Sequence, residues 1–76
     1  MTLLDLKGLP ASERRPLIAE AVKTLKSGEM AMIVIAHEDF WPAIPKTIEG
    51  FSDQVKFESI ILEDDYRIFN VLVSKK

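Results

Sequence analysis

The spacing of apolar positions changes along the chain, and each change predicts an element. Thr2 to Leu6 is a short apolar stretch closed by Lys7-Gly8-Leu9-Pro10, a breaker cluster, and reads as a first strand. From Ser12 the period lengthens. Leu17, Ile18, Ala21, Val22 and Leu25 recur at the spacing of one helical face, with Glu20, Lys23, Thr24 and Lys26 on the other, the pattern of an amphipathic helix. Two starts are open for it: Ser12 as N-cap, which leaves Pro16 at the fourth helical position without an N–H, or Pro16 itself as the first regular residue. Its end is marked by Lys23 and Lys26 in the last turn and by Gly28 beyond them.

Met30 to Ala36 is apolar at every position, the pattern of a central strand covered on both faces. Strand, helix and strand form a βαβ unit whose two strands are parallel. His37-Glu38-Asp39-Phe40-Trp41-Pro42 reads as a loop, with Asp39 placed to cap a short second helix that runs through Ile44, Pro45 and Ile48 and stops at Gly50. Further on, Val55, Phe57, Ser59 and Ile61 alternate with Lys56, Glu58, Ile60 and Leu62 in a third strand. A polar turn at Glu63-Asp64-Asp65 leads into a fourth strand, Tyr66 to Ser74, and the two form a hairpin. No repeat, linker or low-complexity segment divides the chain, so residues 1–76 are expected to be one domain.

Composition narrows the chemistry. With no cysteine the chain has no disulfide, no thiolate ligand for zinc and no sulfur nucleophile. The fold must rest on packing, for which 47% hydrophobic residues supply the material. Ten basic against twelve acidic side chains leave a net charge of −2, which exerts no general pull on nucleic acid or anionic membrane. The longest apolar run, Met30 to Ala36, is far short of the roughly 20 residues a membrane helix needs. Asp5 and Lys7 interrupt the apolar stretch at the N-terminus, so it does not read as a signal peptide, and the expected location is the cytoplasm with no membrane partner.

Several segments match a known pattern. Leu4-Asp5-Leu6-Lys7-Gly8-Leu9, a proline-bearing helix start at Pro16-Leu17-Ile18, and Leu25-Lys26-Ser27-Gly28-Glu29 resemble the opening of the TusA-like (SirA-like) family. In that family Leu-Asp-Leu-Arg-Gly-Leu is followed by Cys-Pro-x-Pro and by an amphipathic helix ending in Leu-x-x-Gly-Glu. Ala43-Ile44-Pro45-Lys46 is similar to the family's Asp-Ile-Pro-Arg second helix, and a closing hairpin with an acidic turn and Tyr66-Arg67-Ile68 fits as well. The resemblance covers nearly the whole chain. It implies an α+β two-layer sandwich, βαβαββ, with two helices on one face of a mixed four-stranded sheet in the order 1-2-4-3.

The resemblance does not carry the family's activity across. Sulfur transfer there rests on the cysteine of Cys-Pro-x-Pro, which accepts a persulfide sulfur from a desulfurase. Here that position is Ala11 counted forward from Leu9, or Glu13 counted back from Pro16, and neither side chain can form a persulfide. Glu13-Arg14-Arg15-Pro16 stands in place of the Cys motif, and a His-bearing loop follows the second strand. In both respects the chain looks like a Cys-less relative grouped with that family as a domain of unknown function.

Four features are candidates for function. Lys7, Arg14 and Arg15 gather around a helix N-terminus, where free N–H groups and the positive dipole end suit a phosphate or carboxylate, and they can also be read as solvated or paired first-turn charges. His37, Glu38 and Asp39 could supply a metal ligand or a general base at the C-terminal end of a parallel strand, the edge where open α/β sheets place ligands. A lone His leaves carboxylates to complete any zinc shell, so this segment is also readable as a plain polar loop, and no metal is expected. Phe40 and Trp41 either close one end of the core or anchor a partner. No aromatic residues interleave with a basic stripe, so nothing favours nucleic acid.

The fourth feature is the sheet face that two helices leave open. Met30–Ala36 is apolar throughout, and Ile60, Leu62, Ile68 and Leu72 add side chains whose facing the pattern leaves undecided. A protein partner or a homodimer is expected on that open face. The resulting expectation is a non-catalytic interaction or accessory domain. It would bind a protein partner or small anion through the first helix N-terminus and the loop after the second strand, with no cofactor and no catalytic residue. An RNA-binding module by analogy of fold, and a small metal-binding or enzymatic protein using His37, are the readings from other classes.

Overall fold

Seven elements follow one another in the computed structural model, which describes residues Met1–Lys76. They are β1 (Thr2–Asp5), α1 (Ala11–Thr24), β2 (Met30–Ala36), α2 (His37–Phe40), α3 (Ala43–Glu49), β3 (Val55–Glu63) and β4 (Ile68–Lys75). β1 pairs parallel with β2, β2 antiparallel with β4, and β4 antiparallel with β3, so the sheet order is β1-β2-β4-β3. This is the mixed α+β sheet expected. On its covered face, Ile18 and Val22 of α1 and Ile44 of α3 meet Leu6, Ile33, Ile35, Val71 and Val73 in one buried core.

β2 is central, as its apolar run requires, but only one of its faces meets helices. Ala31, Ile33 and Ile35 enter the core, while Met30, Met32 and Ala36 face the other way and stay half-buried. On that open face Met32 lies between Leu3 and Leu72, and Val34 between Asp5 and Asn70. Val34 and Asn70 are buried there. Flanking side chains, and no second layer, therefore cover the middle of β2.

α1 starts at neither expected residue. Pro10 is its N-cap, in extended conformation and without a side-chain cap bond, and the helix begins at Ala11. Pro16 then sits inside the helix, where its missing N–H leaves the Ser12 carbonyl without a ladder donor. At the other end the Leu25 N–H donates to the Ala21 carbonyl at 3.1 Å, and Lys75 Nζ donates to the Val22 carbonyl at 2.6 Å, a cation at the negative end of the helix. Gly28, at φ +86°, turns the chain back so that its N–H reaches the Lys75 carbonyl at 2.8 Å.

Residues 37–50 form two helical pieces, where the pattern predicted a loop and one capped helix. α2 is a single turn, and a cis Trp41–Pro42 peptide joins it to α3. The N-caps are Ala36 and Pro42, neither with a side-chain cap bond, so Asp39 is not a cap. Its carboxylate is turned instead to the Arg14 guanidinium at 3.3 Å, a charged donor that competes well against neutral N–H groups.

β3 departs from strict alternation. Phe57 lies opposite Val73 and Ser59 opposite Leu72, so Glu58 is an extra residue, a β-bulge. The bulge reverses the facing of everything after it. Val55, Phe57, Ile60 and Leu62 share the helix side, and Lys56, Ser59, Ile61 and Glu63 share the open side. The hairpin turn holds Asp64, Asp65 and Tyr66 at φ 51°, 56° and 68°, a left-handed run that Asp tolerates better than most residues, and β4 begins at Ile68 rather than Tyr66.

Candidate functional site

The site follows from the mismatch between the lengths of the helices and of β3. α3 has seven residues, about 10 Å of helix, whereas β3 has nine, about 30 Å of strand. The helical layer leaves β3 uncovered beyond Val55, the one residue of this strand that is buried. Cross-strand rows of helix-side residues run Ala31–Val73–Phe57, Ile33–Val71–Ile60 and Ile35–Phe69–Leu62, each starting in the core or against it and ending at β3. There Phe57, Ile60 and Leu62 remain 48%, 36% and 44% exposed. The core thus runs out from under its cover.

Beside this edge lies a cleft of about 440 Å³, walled by Phe40, Trp41, Pro45 and Ile48 from the helical layer and by Phe57 and Ile60 from β3. Its polar rim comes from Glu49 and Ser52. The two aromatic residues of the Phe40-Trp41 pair divide the roles offered to them. Phe40 packs on Phe69, ring centres 4.8 Å apart, and belongs to the core margin. Trp41 stands in the cleft at 74% exposure.

A second feature joins two segments that the sequence treats separately. Arg14 Nη2 donates to the Leu9 carbonyl at 2.9 Å and lies 3.3 Å from Asp39 Oδ2. Its side chain is largely buried, and Nε has no partner. Arg14 therefore ties the start of α1, the turn before it and α2 together. The other cations near that helix start are also engaged. Lys7 donates to the Asp5 carboxylate from its N–H at 3.0 Å and from Nζ at 3.2 Å. These two bonds, the backbone one first, hold the Asp5 carboxyl below the usual aspartate range. The Arg15 guanidinium sits over the Phe51 ring, 5.8 Å from its centre.

His37 and Glu38 are exposed on α2. The His37 ring meets Phe69 edge-on at 5.4 Å, and its backbone N–H donates to the Arg67 carbonyl at 2.8 Å. Three or more His, Asp or Glu side chains do not gather anywhere in an arrangement that could hold a metal ion. The structure thus brings Arg14 and Asp39 together, places Trp41 in a cleft, and leaves Lys7, Arg15, His37 and Glu38 apart from both.

Sequence reasoning missed Phe57, Ile60 and Leu62 as a set because strict alternation split them between two faces. A signal was present: Val55 and Phe57 are out of phase with Ile60 and Leu62, which is what one inserted residue produces. The chain matches no model of a known protein family, and a search of curated proteins finds no significant relative.

Proposed function

We propose that this chain is a non-catalytic interaction domain, a Cys-less relative of the TusA-like proteins, which holds a protein partner in the apolar cleft between α3 and β3. The observation that carries the reading is Trp41. A large aromatic side chain left 74% exposed beside Phe57 and Ile60, in a concave apolar wall with a polar rim, has the make-up of an interface hot spot. The open sheet face supports the reading less well. Its row Leu3–Met32–Leu72 is apolar, but on β3 and β4 Lys56, Glu58, Glu63, Asn70 and Ser74 form a polar belt with bonds of their own. A small anion at the start of α1 has less support too, because Lys7 and Arg14 already face Asp5 and Asp39.

A photo-reactive residue placed at Trp41 tests this in the native cell, with the same residue at exposed Glu20 of α1 as control. Cross-links to a protein from position 41 and not from position 20 are expected. Equal labelling at the two positions, or none at either, sinks the reading.

A further inference from the structure

We propose that the occupant of this surface is a second copy of the same chain, the two β3 strands pairing antiparallel about a two-fold axis at Ile60. The inference rests on reading the cleft and its edge as a contact surface, and it adds who the partner is. An exposed edge strand is a template for strand addition, and proteins usually guard one by keeping it short, charged or bulged. β3 is nine residues long. Its bulged residue, Glu58, is turned away to the open side, where Oε1 accepts a hydrogen bond from Ser74 Oγ at 2.8 Å. On the helix side, between Phe57 and Leu62, no charge guards the edge.

The sequence of β3 is self-complementary in one register. Side chains alternate between faces, so a stable pairing sets helix-side residues opposite helix-side residues. With Ile60 opposite Ile60 of the copy, and Glu58 left out of the ladder as it is against β4, Phe57 falls opposite Leu62 on the helix side. In the same register Lys56, within 4.0 Å of its own Glu58, falls opposite Glu63, which accepts from its own Asn70, so the charge pair adds to contacts each side chain already has on the open side. Symmetry makes each of these pairs occur twice. An axis at Ile61 runs Phe57 off the strand against Asp64, and an axis at Ser59 sets Lys56 against Ile61. The Ile61 axis thus costs Phe57 its apolar partner, and the Ser59 axis, which keeps Phe57 against Ile60, leaves Lys56 without an opposite charge; the Ile60 axis keeps both, with Ser59 against Ile61 as its one mixed pair.

The Ile60 register also finishes the core. The row Ile33–Val71–Ile60 continues directly into its two-fold copy, and the cleft lined by Trp41, Phe57 and Ile60 lies beside the paired strands. Stable interfaces begin at about 1,200 Å², and a single strand edge is a small contact on that scale, so the association is tested over a wide range of concentration.

Sedimentation velocity from about 1 to 500 µM tests the proposal, with emission of the single tryptophan as a second readout. At the upper end the mass should reach twice the 8.6 kDa of one chain, and the emission should shift to the blue. Ile60→Lys, at a position already partly exposed, should keep the fold and abolish the dimer. Lys56→Glu should weaken it about ten-fold, and Lys56→Glu with Glu63→Lys should restore it to within about two-fold. A dimer indifferent to Ile60→Lys, or one dissolved only by Leu72→Lys on the open face, overturns the proposal. A monomer at every concentration overturns it as well. If position 41 then still cross-links to a different protein, the cleft stands as a binding site and only the second copy falls. If it cross-links to nothing, both fall.

Discussion

Of the two strands that bound the sheet, β1 is four residues long and β3 is nine. β1 ends at once in the Asp5–Lys7 pair, and α1 packs over it, with Leu4 against the core and Leu6 within it. Its length and charge guard it in the usual way. On β3 only Val55 is buried, while Phe57, Ile60, Ile61 and Leu62 are exposed. The difference teaches that burial here follows the reach of the helical layer and not the hydrophobicity of the strand. The helical layer covers β2 and β4 and reaches Leu4 of β1 and Val55 of β3, while Phe57, Ile60 and Leu62 of β3 lie beyond it. Surplus apolar surface at one end of a small domain is the physical basis for reading that end as a place of contact.

The largest effects should separate the covered half from the uncovered one. Ile35→Ala, at a fully buried position, should lower stability by about 3 to 4 kcal/mol, and Phe57→Ala by about 1 kcal/mol or less. Urea denaturation at low micromolar concentration measures both. Equal losses would mean that β3 is as integral to the core as β2, and the contrast would collapse.

Next in size is the tie between α1 and α2. Arg14→Ala should remove about 1 to 2 kcal/mol, since it takes away the partner of Asp39 and uncovers the Leu9 carbonyl. Combining it with Asp39→Ala in a double-mutant cycle should give a coupling of about 0.5 to 1 kcal/mol, the modest size expected for a pair open to water on one side. A coupling near zero would show that the two helical starts are held by packing alone.

The smallest effect concerns the guarded edge. Asp5 has a folded-state pKa below its unfolded value, so as pH falls the unfolded chain takes up the proton first. Its contribution is therefore complete above about pH 4 and declines as the medium becomes more acidic. Asp5→Asn should make the melting temperature fall less steeply on acidification than it does in the parent chain. Parallel acid limbs for the two proteins would remove the Asp5–Lys7 pair from the account of β1.

Much of the fold was legible because its signals are local. The stripe Ile18, Val22, Leu25 is buried as its helical spacing requires, with Leu17 left at the margin, and Met30–Ala36 is the central strand its composition demands. The sheet order came from the resemblance and agrees with the structure. The candidate site was legible only in part. Trp41 was singled out, but its partners Phe57 and Ile60 were hidden by the bulge at Glu58, whose effect on facing is visible only through the register with β4. Arg14 and Asp39 were each assigned to a different site, since nothing local says that residues so far apart in the chain will meet.

The sequence by itself determined that no thiol chemistry is available and where helix and strand begin to alternate, because these depend on residue identity and on spacing within a few turns. Which apolar side chains stay uncovered, and which charges find one another, only the tertiary structure decided. Those outcomes depend on which strands the helical layer covers and on which segments the sheet brings side by side. Both are properties of long-range packing that no short window of the chain contains.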